Sequence, residues 1–126
     1  MMSLAAELER GNYFLVNNEP VRVLRKEVIS VGTHSHTKLK FYVQGLYTKG
    51  EKIITLAHAD KVDIVDISRK SGQIISKTGS KVQIMDTHSY ETFDAGLSED
   101  LLNEVKEGDE VTFIDYNGNV TVIEKR

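Results

Sequence analysis

Hydrophobic and polar positions alternate along this chain in short runs that recur at regular intervals. Tyr13–Val16 is the first, closed by the turn Asn17-Asn18-Glu19-Pro20. Val21–Ser30 is longer and mixed. Val21, Val23, Glu27 and Ile29 share one parity, and Arg22, Leu24, Lys26 and Val28 share the other. Neither parity is purely apolar, which predicts a long, twisted or bulged strand. Leu39–Tyr47 alternates cleanly, Leu39, Phe41 and Val43 against Lys40, Tyr42 and Gln44. A turn at Thr48–Glu51 leads to strands over Lys52–Leu56 and Lys61–Ser68.

The second half repeats the style without repeating the sequence. Strands are predicted over Gly72–Thr78, Lys81–Asp86 and His88–Phe93, with a turn at Gly79-Ser80. Ser98 is a good N-cap, and Glu99 and Asp100 behind it complement the helix dipole. Leu101, Leu102 and Val105 make one apolar face, and Gly108 is a stop, so a short helix is expected over 98–107. Glu110–Asp115 and Asn119–Glu124 close as a hairpin around Asn117-Gly118. The aromatic residues Phe41, Tyr42, Tyr47, Tyr90 and Phe93 are expected to pack in cores. Strands this short, with turns every 8–12 residues, indicate small all-β barrels. A helix between the third and fourth strands of the second barrel is OB-fold connectivity.

With 126 residues the chain suits one ordinary domain or two very small ones. No apolar run approaches the roughly 18 residues of a membrane helix. Met1–Arg10 has no apolar stretch behind basic residues, so no secretory signal is expected. Zero cysteines exclude disulfides and thiolate metal sites and fit a reducing cytoplasm. No nucleophile motif and no phosphate-cradling Gly-rich loop before a helix is present, so an enzyme is not expected and no cofactor is implied. Asp60, Asp63 and Asp66 alternate along a strand rather than gathering.

The net charge of −3 hides an asymmetry. Residues 1–67 carry 9 Lys/Arg against 8 Asp/Glu, and residues 68–126 carry 7 against 11. Within 22–40 the basic side chains are Arg22, Arg25, Lys26, Lys38 and Lys40, and Glu27 is the one acid. This concentration favours an anionic partner at that end, and each phosphate contact would weaken with salt. The acidic second half argues against a general single-strand RNA binder working through its OB face.

Between the two longest strands lies Val31-Gly32-Thr33-His34-Ser35-His36-Thr37-Lys38, read as a hairpin tip and as the place for recognition. His34 and His36 share a face if extended. No third ligand is near in sequence, so RNA or phosphate contact is favoured over a metal.

These residues carry a resemblance. Gly11–Val23, the tip at Gly32-Thr33-His34, the turn Gly45–Gly50, and Gln83-Ile84-Met85-Asp86 with Ser89–Phe93 are similar to translation factor 5A. That is the hypusine-carrying family related to bacterial elongation factor P, and the likeness is greatest to its archaeal form. It runs nearly end to end. It implies an SH3-like domain of KOW type at 1–67 and an OB-fold domain at 68–126. It further implies a cytoplasmic protein that binds ribosomal RNA and peptidyl-transfer-RNA on the ribosome and assists peptide-bond formation, with no DNA or membrane partner. Gly32, His34 and Lys38 match the family motif residue by residue.

Thr33 departs from it. The family's lysine, which receives the aminobutyl group of spermidine, is Thr33 here, and threonine has no amine to modify. Ser35 stands where the motif has a second glycine. The resemblance therefore implies a form that the hypusination enzyme does not modify and whose activity is reduced. The alternative is a non-hypusinated paralogue with a structural, self-assembling or general RNA-binding role. The implied ribosome-contacting residues are Gly32, Thr33, His34, Ser35, His36, Lys38, Lys40, Arg22, Arg25 and Lys26.

Overall fold

The computed structural model describes residues 1–31 and 36–126, and at Val31 and His36 it describes the backbone. The chain divides into two compact units, Met1–Asp66 and Ile67–Arg126.

The first unit is a six-stranded antiparallel sheet. Its strands are β1 (Met2–Leu4), β2 (Tyr13–Val16), β3 (Glu19–Val31), β4 (His36–Gly45), β5 (Glu51–Ala57) and β6 (Lys61–Val65), in the order β1-β6-β2-β3-β4-β5. A 3₁₀ turn at Ala5–Glu7 follows β1. There the amides of Ala5 and Ala6 donate to the Asp60 and His58 carbonyls, at 2.7 and 3.2 Å, so the chain returns toward the β5–β6 connection. Inward positions fill the core with Phe14, Val21, Val23, Leu39, Phe41, Val43 and Val62, sealed by Ala5 and Leu8. The Phe14 and Phe41 rings sit 6.3 Å apart at 59°. The opening strand and 3₁₀ turn have no alternating pattern in sequence, because a three-residue strand is stabilised by its distant partner β6 rather than by local propensity.

Asn17 and Asn18 alone form the β2–β3 turn. Both have positive φ, 51° and 65°, the primed geometry that matches strand twist. Pro20 was expected in that turn, yet it lies in β3 opposite Leu15. Strand beginnings tolerate a residue that cannot donate.

The second unit has the sheet order β11-β10-β7-β8-β9. Its strands are β7 (Arg69–Thr78), β8 (Lys81–Asp86), β9 (Thr92–Ala95), β10 (Glu110–Tyr116) and β11 (Asn119–Lys125). The helix α1 (Glu99–Glu104) falls between the third and fourth of these strands. The Ser98 hydroxyl caps it, accepting from the Leu101 amide at 3.3 Å. It ends at Val105, short of Gly108. Gly96 exchanges backbone bonds with Val120 and Val122 at 3.0 and 2.9 Å, which closes β9 onto β11 as a barrel. Ile74, Val82, Ile84, Leu97, Val111, Phe113 and Val122 make its core, with Leu101, Leu102 and Phe93 packed against it. Asn117 and Gly118 repeat the primed turn, with φ of 51° and 85°.

The strand expected at His88–Phe93 begins only at Thr92. The carboxylate of Asp86 accepts from the amides of His88 and Ser89, at 2.8 and 3.2 Å, and folds the segment into a turn. Tyr90 stands in that turn with φ +62° and is 73% exposed, so it is not a core residue. Tyr47, also expected inside, is 43% exposed in the Gly45–Gly50 turn.

Candidate functional site

The irregularity in β3 organises the site. Val21 and Val23 face the core, and the register with β4 shifts between Val23 and Arg25. Leu24 is the extra residue. Beyond it Arg25 lies opposite Tyr42, Lys26 opposite Phe41, Glu27 opposite Lys40 and Ile29 opposite Lys38. A bulge that adds one residue reverses which parity points outward. Arg22 before it, and Arg25, Glu27 and Ile29 after it, therefore share the outer face with Lys38, Lys40, Tyr42 and Gln44. The mixed parity seen in sequence is the trace of this phase change.

On that face the Arg25 guanidinium carbon sits 4.2 Å from the centre of the Tyr42 ring, and the Lys40 ammonium sits 5.1 Å from it. Such contacts hold a cation without cancelling its charge. Arg25 also pairs with Glu27. The pKa values of Arg25 and Lys40 are both raised, each first by its interaction with Tyr42, so both stay charged. Ile53 of β5 continues the row beyond Tyr42 and is 54% exposed. Arg25, Lys38 and Lys40 against Glu27 leave the face net positive.

Two predicted cations are placed differently. Lys26 falls on the inward parity, where its stem is covered and its side chain is 20% exposed. Its ammonium donates to the Ala6 carbonyl at 3.0 Å and meets Glu9 at 3.3 Å, so it anchors the segment after β1. Arg22 is half-buried between Gln44 and Tyr13, and its Nε is buried with no hydrogen-bond partner among the described residues. Gly32, Thr33, His34 and Ser35 lie outside the described residues. Backbone pairing of Val31 with His36 marks where the described hairpin ends.

Tyr42, expected to pack in a core, is instead half-buried on the outer face, because alternation sets it opposite in parity to Phe41, and nothing in the sequence pattern shows the two cations on its ring. At the barrel end of the hairpin, Glu19 shapes the Gly45–Gly50 turn. Its carboxylate accepts from the Tyr47 and Thr48 amides at 2.8 and 2.7 Å. Burial pushes the Glu19 carboxyl up, and the bonds from Thr48 and Tyr47 more than offset it, leaving its pKa lowered. A Cβ at Gly45 would meet Thr48 Oγ1 at 2.4 Å and Glu19 Oε2 at 2.7 Å, so a larger residue there would displace the side chains that shape the turn. Lys49, at φ +61°, donates to the Leu46 carbonyl. Burial holds its pKa down at about 8, partly opposed by Glu19.

No family model matches the chain. The translation initiation factor 5A of Methanosphaera stadtmanae is 30% identical over 116 residues, covering 92% of this chain and 88% of that protein. The Pyrococcus horikoshii protein of the same name is 30% identical over 122 residues, covering 94% and 88%. The chain belongs to the translation initiation factor 5A family. The solved structure of eukaryotic translation initiation factor 5A from Methanococcus jannaschii superposes with a TM-score of 0.71 at 25% identity, over 100% of this chain and 94% of that one. An eIF-5A family structure from Naegleria fowleri, at 18% identity and a TM-score of 0.61, shares the fold. The fold is thus all-β, an SH3-like barrel followed by an OB-fold barrel with one short helix. As a member of the translation initiation factor 5A family, the protein is a translation factor and not an enzyme. No helix among the described residues is long and apolar enough to cross a membrane.

Proposed function

We propose that this chain works on the ribosome in the cytoplasm, with the outer face of the β3–β4 hairpin against phosphate of ribosomal RNA and peptidyl-transfer-RNA. The observation that carries this reading is the row of Arg25, Tyr42 and Lys40, with Lys38 beyond it toward the tip. Cations held on an aromatic ring by a rigid ladder lose little freedom when they meet phosphate. On the family resemblance, the segment at 31–36, with Gly32, Thr33, His34, Ser35 and His36, addresses the acceptor end of the transfer-RNA.

Thr33 sets the activity. A hydroxyl cannot supply the long cation that hypusine adds, and the hypusination enzyme has no amine to act on. Ribosome binding survives, and stimulation of stalled peptide-bond formation is weak. Lys26 contributes through the fold rather than by touching RNA.

Co-sedimentation with ribosomes across a salt series tests this. Binding should fall with salt, and the Arg25→Ala/Lys38→Ala/Lys40→Ala variant should lower the log–log slope by about 0.7–0.9 per cation removed. Absence of binding by the parent protein at low salt would overturn the ribosome reading. Stalled synthesis stimulated as strongly as by a hypusinated Thr33→Lys variant would overturn the reduced-activity reading.

A further inference from the structure

The two barrels each carry a hairpin turn in the same primed geometry, and the turns differ in their second residue. In the first unit Asn17 is followed by Asn18, and in the second Asn117 is followed by Gly118. Of the asparagines at 12, 17, 18, 103, 117 and 119, Asn117 alone precedes a glycine. That pairing has a chemical side as well as a conformational one. The backbone nitrogen after an asparagine is placed to close a cyclic imide on the asparagine's side-chain amide carbon. A side chain on the following residue shields that nitrogen, and glycine has none. Apart from its chain neighbours, nothing lies within 4 Å of where a Cβ at Gly118 would stand. Asn117, Gly118 and Asn119 are all exposed.

The folded turn restrains that nitrogen. The Gly118 N–H donates to the Asp115 carboxylate at 3.0 Å. The nitrogen attacks only after losing this proton, and a carboxylate acceptor opposes the loss in two ways. A charge-assisted hydrogen bond is given up, and the negative nitrogen then faces a second negative charge. The ladder below the turn fixes the backbone, with Tyr116 opposite Asn119 and Asp115 opposite Val120. This turn holds the closure of the second barrel. Its strands bring Val111, Phe113, Val120 and Val122 into the core, and Gly96 bonds to Val120 and Val122.

We propose that Asn117 is a self-modification site, deamidated with water as its co-reactant, and that Asp115 is the lock that keeps it unreacted in the folded barrel. When the turn opens, the Gly118 nitrogen gives its proton to hydroxide and attacks Asn117 Cγ. A new N–C bond forms and the bond from Cγ to the side-chain nitrogen breaks. That nitrogen takes up a proton and leaves as ammonia. Water then opens the cyclic imide. Attack at Cγ leaves aspartate, and attack at the main-chain carbonyl carbon leaves isoaspartate, with Cβ inserted into the backbone. Either product adds a negative charge near Asp115, and isoaspartate lengthens a turn built for two residues. A slip of register there turns Val120 and Val122 out of the core. The chemistry converts an opening of the barrel into a permanent mark, and it does not rest on the ribosome reading.

The test stores the full chain at mildly alkaline pH, folded in buffer and unfolded in concentrated guanidinium chloride. Peptide mass spectrometry reads the change of amide to acid at Asn117, and chromatography separates aspartate from isoaspartate. In denaturant the parent chain should react at Asn117 well before Asn17. In buffer it should react at Asn117 at least about tenfold more slowly, through the fixed backbone and the bond to Asp115 together. Asp115→Ala should speed the folded reaction about fivefold, the scale of one lost hydrogen bond. In denaturant, where salt screens the carboxylate, the same change should alter the rate less than about twofold. A weaker hairpin would also speed the reaction, so amide hydrogen exchange separates the two. Asp115→Ala should raise exchange at Gly118 and leave Val122, whose amide donates to Gly96, protected. No reaction at Asn117 in denaturant overturns the site. Equal parent rates in buffer and denaturant, or no effect of Asp115→Ala in buffer, overturns the lock. Exchange at Val122 raised as much as at Gly118 makes Asp115 a residue of fold stability alone, and the lock fails.

Discussion

Arg25 and Lys26 are neighbours in sequence with the same charge, and the fold uses them in opposite ways. Arg25 stands on the outer face over Tyr42. Lys26 runs inward along the barrel edge and ties down the Ala6 carbonyl and Glu9. The first is displayed and the second is structural. Charge alone cannot tell them apart, because the face each takes depends on where the bulge falls. A basic cluster counted along a strand overstates the charge that a partner meets.

The sharpest way to break this comparison is to delete Leu24. Without the extra residue, either Val21 and Val23 turn outward or Arg25 and Glu27 turn in. The cost is on the order of 4 kcal/mol or more, since it exposes core or buries charge. Chemical denaturation should show the first barrel unfolded in buffer, with loss of the ring-shifted signals of the Phe14–Phe41 pair. A deletion variant with native Phe14–Phe41 signals would mean that the bulge does not set the faces.

Lys26→Ala should be next. It removes a hydrogen bond, an ion pair and a covered stem, and should destabilise by about 1–2 kcal/mol in urea titration. Arg25→Ala, one residue earlier, should change stability by no more than about 0.5 kcal/mol, as expected of an exposed site. Its effect belongs in ribosome co-sedimentation instead. Equal stability losses at the two positions would erase the distinction.

Lys49 extends the comparison with the smallest effect. It is a second structural lysine, its ammonium donating to the Leu46 carbonyl. Its pKa is lowered to about 8, so the folded state gives up this proton before the unfolded state does. Between about pH 8 and the unfolded lysine value of about 10.4, the unfolded chain binds more protons, and stability from this residue rises with pH. Lys49→Met should flatten that rise, measured as the urea midpoint against pH. Arg25→Ala should leave it unchanged.

Much of the fold was legible because its signals are local. Alternation through 39–45 and 81–86, the Ser98 cap and Asn117-Gly118 each act within a few residues. The mixed parity of 21–30 pointed to a long, twisted or bulged strand, without choosing among them or giving the bulge's position. What was hidden depends on distant partners or on local polar bonds that override propensity. The β1 strand exists only against β6. Lys26 becomes structural only because Ala6 and Glu9 reach it. The apolar and aromatic look of 88–93 yields to Asp86, whose carboxylate builds a turn and leaves Tyr90 outside. At the candidate site the residue types were visible in sequence, and their grouping was not. Composition could not distinguish Lys26 from Lys40.

The bulge also turns the hairpin into a ruler with fixed increments. Past Leu24 the β3–β4 ladder is regular up to Val31 and His36. Each strand residue advances about 3.3 Å and alternates faces, so two residues added to each strand carry the tip outward by about 6.6 Å with every cation still on its own side. One residue added to each would swap the faces from that point on. Reach in this scaffold can therefore be adjusted only in double steps, and a change of reach need not disturb the barrel that bears it.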